Sequence, residues 1–233
     1  MNWLARLLRR RPVLSIANGR ALEEYGTLPE PDLRQPLQAL RCVIVDVETS
    51  GLNPFRDSLI SIGAVALVGG LLRFAESFEI VLRQETPSAD HNILVHGIDG
   101  TTQTAGKDAA DGLAAFLRFA GKSPLIGFHA DFDRVMIGRA ARTALGIEPA
   151  NSWLDVAMLA PALFANRAPG AATLDDWLQV FGIVNYSRHN AVADACATAQ
   201  LFQIVAAQAA RQGMRNCADL MRLEKDRRWL ELH

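Results

Sequence analysis

The spacing of hydrophobic and polar positions changes character along the chain. Trp3, Leu4, Leu7 and Leu8 recur at helical spacing among Arg6, Arg9, Arg10 and Arg11, and Pro12, Gly19, Gly26, Pro29, Pro31 and Pro36 then punctuate the segment. This predicts a short amphipathic helix and an irregular linker over residues 1–40. From Arg41 the pattern turns strand-like: Cys42 to Glu48 is a β-branched run closed by a turn through Gly51, Asn53 and Pro54. Two more apolar segments, Leu59 to Val68 and Leu72 to Leu82, flank Gly69-Gly70, a hairpin signal. Helical periodicity continues at Asp108 to Ala120, Asp131 to Leu145, Leu154 to Ala165, Leu174 to Phe181, Ala191 to Ala210 and Ala218 to Leu230, with one short strand at Pro124 to Phe128. Strands first and helices interleaved later predict one α/β domain with a mixed sheet over residues 41–210, and a C-terminal helix in 211–233 packed on it.

Composition narrows the class. Half of the 233 residues are hydrophobic and the formal net charge is -1, so disorder is excluded as the main state. No apolar run reaches the roughly 18 to 20 residues of a membrane span. Val13 to Ala17 is too short an apolar stretch for a secretory signal. Cys42, Cys196 and Cys217 lie far apart, with neither a disulfide framework nor zinc-ligand spacing. A cytoplasmic protein is the expectation. The near-neutral charge argues against a tight duplex binder with a broad basic surface.

Three segments carry candidate chemistry. Asp46 and Glu48 stand two apart on a predicted buried strand, which puts both carboxylates on one face. Two like charges there are costly unless a cation neutralises them, and an oxygen-only donor set suits Mg²⁺ or Mn²⁺. The second segment runs from Gly127 to Asp133 where a strand passes into a helix; Asp131 suits the N-cap and Asp133 the first turn. The third is His189 to Asp194. Regular helix would turn Asp194 about 140° from His189. Both face one site only if His189 precedes the helix and Asn190 caps it.

In this order and spacing, Asp46-Val47-Glu48-Thr49-Ser50-Gly51-Leu52, Phe132-Asp133 and His189-x4-Asp194 resemble the DEDD exonuclease superfamily. The His-x4-Asp form is that of the DnaQ-like branch, the family of the epsilon proofreading subunits of bacterial DNA polymerase III. The resemblance spans roughly residues 41–205 and takes in His96-Gly97-Ile98. It implies a ribonuclease-H-like fold, with two divalent cations, Mg²⁺ or Mn²⁺, held by Asp46, Glu48, Asp133 and Asp194. It makes His189 the general base toward the attacking water, a role for a neutral imidazole. The activity it implies is 3'-5' exonucleolytic release of nucleoside 5'-monophosphates from single-stranded ends, DNA favoured over RNA. Thr49, Leu52, His96 and Ile98 match the family's contacts to the terminal nucleotide. For Leu52 and Ile98 core packing is the competing reading, and for His96 a satisfied polar residue at a turn.

One departure stands out. Relatives commonly carry His-Asn before the second motif, whereas this chain has Phe128-His129, so His129 either caps locally or reaches the metal site. Trp153, Trp177 and Phe181 fit buried helix faces, and Asp155 and Asp175 fit helix termini. Gln200-Leu201-Phe202 is similar to a clamp-binding peptide, but its mid-helix place favours core packing. Arg134, Arg139 and Arg142 form a solvated helix face or touch phosphates. The stretch after Asp194 is short and mostly helical, so no flexible polymerase tether is evident; residues 1–40 are the candidate for binding a polymerase or another protein. The alternatives are an RNA-directed enzyme of oligoribonuclease or ribonuclease T type, and a non-catalytic nucleic-acid-binding module.

Overall fold

A computed structural model describes residues 12–232. The helix expected around Trp3 to Leu8 lies outside the described residues. Among the described residues there is one five-stranded sheet, ordered β3-β2-β1-β4-β5. Its strands are β1 (Arg41–Thr49), β2 (Leu59–Val68), β3 (Leu71–Val81), β4 (Leu125–Gly127) and β5 (Trp153–Asp155). β3, β2 and β1 form an antiparallel meander, while β4 and β5 continue from β1 in parallel. The hairpin turns at Gly69 and Gly70, with φ of 66° and 74°, conformations that favour glycine. This is the mixed sheet of a ribonuclease-H-like fold.

Helices cover both faces. Among the described residues the α-helices are α1 (Ile16–Thr27), α2 (Asp90–His96), α3 (Gly100–Thr104), α4 (Ala109–Ala120), α5 (Ala130–Ala144), α6 (Val156–Leu163), α7 (Leu174–Phe181), α8 (Ala191–Arg211) and α9 (Cys217–Leu232). Strand alternation divides β1 between two cores. Val43, Val45 and Val47 join Leu113, Phe116 and Leu117 of α4 and Met136 and Ile137 of α5. Cys42 and Ile44 face Leu159 of α6, Trp177 of α7, and Leu201 and Phe202 of α8. Asp46 and Glu48 belong by period to the second face, which α8 covers.

Several elements differ from the sequence expectation. Residues 16–27 form a helix within the stretch expected to be an irregular linker. Ser15 caps it by accepting the Asn18 N–H, and Ala21 and Tyr25 are buried against α4, contacts that residue spacing does not reveal. Residues 153–155, expected at a helix start, are β5: three residues show no period, and pairing with β4 makes the strand. Trp153 is therefore a half-buried strand residue, whereas Trp177 is fully buried as expected. α2 gave no helical signal because Leu94 and Val95 face outward. The N-cap of α5 is His129 rather than Asp131, which lies in the first turn. No described helix is long and apolar enough to cross a membrane.

Candidate active site

Two strands and two helix N-termini converge where β1 ends. Gly63 of β2 lies opposite Asp46 of β1. A Cβ on Gly63 would stand 2.2 Å from the Ala191 carbonyl carbon and 2.3 Å from the Val192 nitrogen. Only a residue without a side chain lets α8 begin directly on the sheet, and that approach sets its first turn above Asp46 and Glu48. Asn190 caps α8 by accepting the Ala193 N–H at 3.0 Å. His189 stands just before the cap with φ 60°, exposed to solvent, which is the half-turn that the His-x4-Asp spacing requires. Its N–H donates to Asp194 Oδ2 at 3.0 Å.

Carboxylate oxygens of Asp46, Glu48 and Asp194 all lie within 4.8 Å of one another. Glu48 is 9% exposed and Asp133 and Asp194 are each 4% exposed. Burial, with the charges of Asp133, Glu48 and Asp194 added, drives the Asp46 carboxyl well above its ordinary range. Burial, helped by Asp194, pushes Glu48 up to about 8. Asp133 is driven well above its ordinary range too, chiefly by burial, although its own amide and that of Val47 favour the carboxylate. Half-buried Asp46 crowds against buried Glu48 and Asp194, with Asp133 outside that triplet but acting on Asp46, and carboxyl groups so placed, all offering oxygen, suit hard divalent cations.

The second motif is held from behind. The His129 N–H donates to Asp155 Oδ1 at 2.9 Å, which fixes the left-handed backbone (φ 59°) from which α5 starts. Asp155 is also the N-cap of α6, accepting the Ala157 N–H at 2.9 Å. Arg228 of α9 pairs with its Oδ2 at 3.1 Å and with Asp131, at 2.7 Å. Gly127 keeps this corner tight, since a Cβ there would come within 3.3 Å of Asp133 Oδ2. The His129 side chain is exposed.

The expected nucleotide contacts divide. Leu52 is 90% exposed, which removes core packing as its reason, and Phe55 beside it is exposed as well. Asn92 of α2 donates to the Ser50 carbonyl, so exposed Leu94 and Val95 are carried by a helix tied to the same turn. Thr49 Oγ1 donates to the Gly51 carbonyl at 2.7 Å. Ile98 is half-buried. His96 is buried, with Nδ1 accepting the Ile98 N–H at 3.0 Å and Nε2 at 3.3 Å from Ser88 Oγ; its ring is engaged within its own turn. Gln103 secures that turn through Ser88 and Ile98.

Sequence spacing carries no signal for Arg188, which binds Asp194, or for Asn185, which donates to the other Asp194 oxygen. Gly63 likewise escapes a motif search; its one mark is a lone glycine inside an apolar strand.

Comparison with known proteins accords with the geometry. The profile of the RNase T family, described as exonuclease, matches residues 43–202, more than half of the chain. The chain is 30% identical over 160 residues to a PolC-type DNA polymerase III of Caldanaerobacter subterraneus, covering 69% of this chain and 11% of that one. It is 30% identical over 170 residues to an epsilon-like protein of Rhodobacter capsulatus (72% and 24% covered). With the DNA polymerase III epsilon subunit of Rickettsia typhi it shares 29% over 181 residues (71% and 74%). The chain thus spans about a tenth of the PolC-type relatives. In fold it is similar to E. coli exonuclease I in complex with a dT13 oligonucleotide, with a TM-score of 0.65 at 19% identity, covering 74% of this chain and 42% of that one.

Proposed function

Because the chain belongs to the RNase T family of exonucleases, a branch of the DEDD superfamily, we propose that it is a divalent-metal-dependent 3'-5' exonuclease that removes nucleoside 5'-monophosphates from single-stranded ends. The observation that carries this reading is the convergence of Asp46, Glu48 and Asp194 oxygens within 4.8 Å, with Asp133 close enough to repel Asp46. Those four carboxylates are the ligands for two ions, Mg²⁺ or Mn²⁺. Ions held there would supply activation of the attacking water and charge stabilisation of the displacement at phosphorus. His189, exposed and backbone-anchored to Asp194, takes the proton from that water. Leu52, with Phe55 beside it, offers an apolar surface to the terminal base, a contact that accepts any base. Thr49 contributes backbone at the sugar, and Ile98 lines the same end. His96 serves by shaping its turn.

Single-stranded DNA is the favoured substrate, supported by the oligonucleotide held by the E. coli neighbour and by the polymerase names of the relatives. A cytoplasmic setting and a DNA polymerase partner fit the same relatives, with residues 1–40 the segment for that contact, 41–210 the exonuclease domain and 211–233 its packed C-terminal helix. Incubation with Mn²⁺ and 5'-labelled single-stranded DNA and RNA of equal sequence tests the proposal. A descending DNA ladder is expected. Faster RNA shortening would move the protein to the oligoribonuclease type, and no ladder from either would leave a binding module.

A further inference from the structure

Arg188 bridges two helices at the mouth of the carboxylate cluster. Its Nε donates to Asp175 Oδ1 of α7 at 2.5 Å, and its Nη1 pairs with Asp194 Oδ2 of α8. The side chain is 28% exposed, whereas Asp194 lies nearly dry beneath it and Asp175 is out at the surface. The guanidinium charge also acts on Asp46 and Glu48, where it opposes the carboxylate repulsion. A planar fork with several fixed donors suits this double task.

Asp194 has two oxygens, and both are engaged. Oδ1 accepts from Asn185, and Oδ2 accepts from Arg188 and from the His189 amide. Asn185 and the amide are neutral donors that can stay beside a bound ion. A guanidinium on the same carboxylate is disfavoured, because two cations on one buried carboxylate repel each other and the Arg188 side chain is only 28% exposed to screening water.

We infer that Arg188 is a resident counter-cation of the acidic cluster that competes with divalent ions for Asp194, and so sets the metal affinity of the protein. This rests on the cluster being the metal site. Asp175 holds the guanidinium in the competing position, so the geometry gives it a part in the same balance. Arg188 is thereby a positioning residue and not a member of the catalytic set.

The test is calorimetric titration of the chelator-treated, dialysed full chain with Mn²⁺ alone, no nucleic acid present. Arg188→Gln is expected to tighten Mn²⁺ binding at least roughly tenfold, since a like charge at contact is removed. Arg188→Lys, which keeps the charge, should stay nearer the wild type. The thermal midpoint of Arg188→Gln without metal should fall, and its rise on adding Mn²⁺ should exceed that of the wild type. Should Arg188→Gln fail to fold, Asp175→Asn frees the fork from its outer, exposed anchor and should tighten binding by a smaller factor, on the order of threefold. Unchanged or weaker Mn²⁺ binding in Arg188→Gln, or in Asp175→Asn where that variant stands in for it, with the wild type still binding, overturns the competition and leaves the metal site standing. If neither wild type nor variants bind Mn²⁺, the metal-site reading falls with it.

Discussion

His189 and His129 present the same unusual backbone at two corners of one site: each precedes a helix and each has a left-handed φ, 60° and 59°. Their anchors differ. His189 is tied to Asp194, in the carboxylate cluster, and His129 to Asp155, behind the second motif. His189→Ala is therefore expected to lose at least about a hundredfold in nucleolytic rate, and His129→Ala far less. Comparable losses in ladder assays would reassign the base. At Asp46 function and stability pull apart. Its carboxyl sits among Glu48, Asp133 and Asp194 and is held well above its ordinary range by burial. Asp46→Asn removes a carboxyl group that otherwise has to ionise among its neighbours as pH rises, so at about pH 8 the chelator-treated variant should melt a few degrees higher than the wild type, roughly 2 to 4 °C per 1 kcal/mol gained. It should also produce no ladder. A lower midpoint would mean that the carboxylate repays its burial through contacts other than a cation.

At the scale of elements, the approach of α8 to β2 does most to assemble the site. Gly63→Ala drives a methyl group into the Ala191 backbone, which cannot yield as a side-chain tip would. We expect about 1 to 3 kcal/mol of destabilisation and a loss of activity out of proportion to it, since Asp194 and His189 ride on the displaced helix start. Gly19→Ala in α1 is the control. Nothing lies within 4 Å of a Cβ there, so it should stabilise by about 0.5 to 1 kcal/mol and leave cleavage untouched. Denaturant melts and initial rates on one labelled oligonucleotide check both. The periodic helices α4, α7 and α8 were legible in sequence almost to the residue, because their buried faces repeat at helical spacing. β5 and α2 were not. One is too short to show a period, and the other exposes the apolar residues that would have marked it.

For the molecule as a whole, the acidic cluster ties stability to pH. In the fold Glu48 is held up to about 8 against an ordinary 4.5, and Asp46 and Asp133 are raised as well, mainly by burial, with Arg188 the cation facing Asp46 and Glu48. Through that window the folded chain binds more protons than the unfolded one, so its stability is full below about pH 4.5 and declines as pH rises through about 8. Chelator-treated protein should accordingly melt lower at about pH 8 than at about pH 5.5, and Mn²⁺ should cancel most of the difference because it takes the ionised form. A melting point that climbs over that interval would count against the cluster being neutralised by protons when no metal is supplied.

The sequence by itself determined which carboxylates and which histidine stand as candidates for the site, and the order in which the fold presents them. Two carboxylates at strand period, one in a helix's first turn and a histidine ahead of a cap are local facts, fixed by spacings of a few residues. Tertiary structure decided what those residues meet. That Gly63 admits α8, that Arg188 lies on Asp194, that His96 turns inward and Leu52 outward, and that Asp155 and Arg228 brace the second motif are contacts between distant segments. They arise from sheet register and helix packing, which no short window of sequence contains, because the energy that fixes them is shared across the whole buried core.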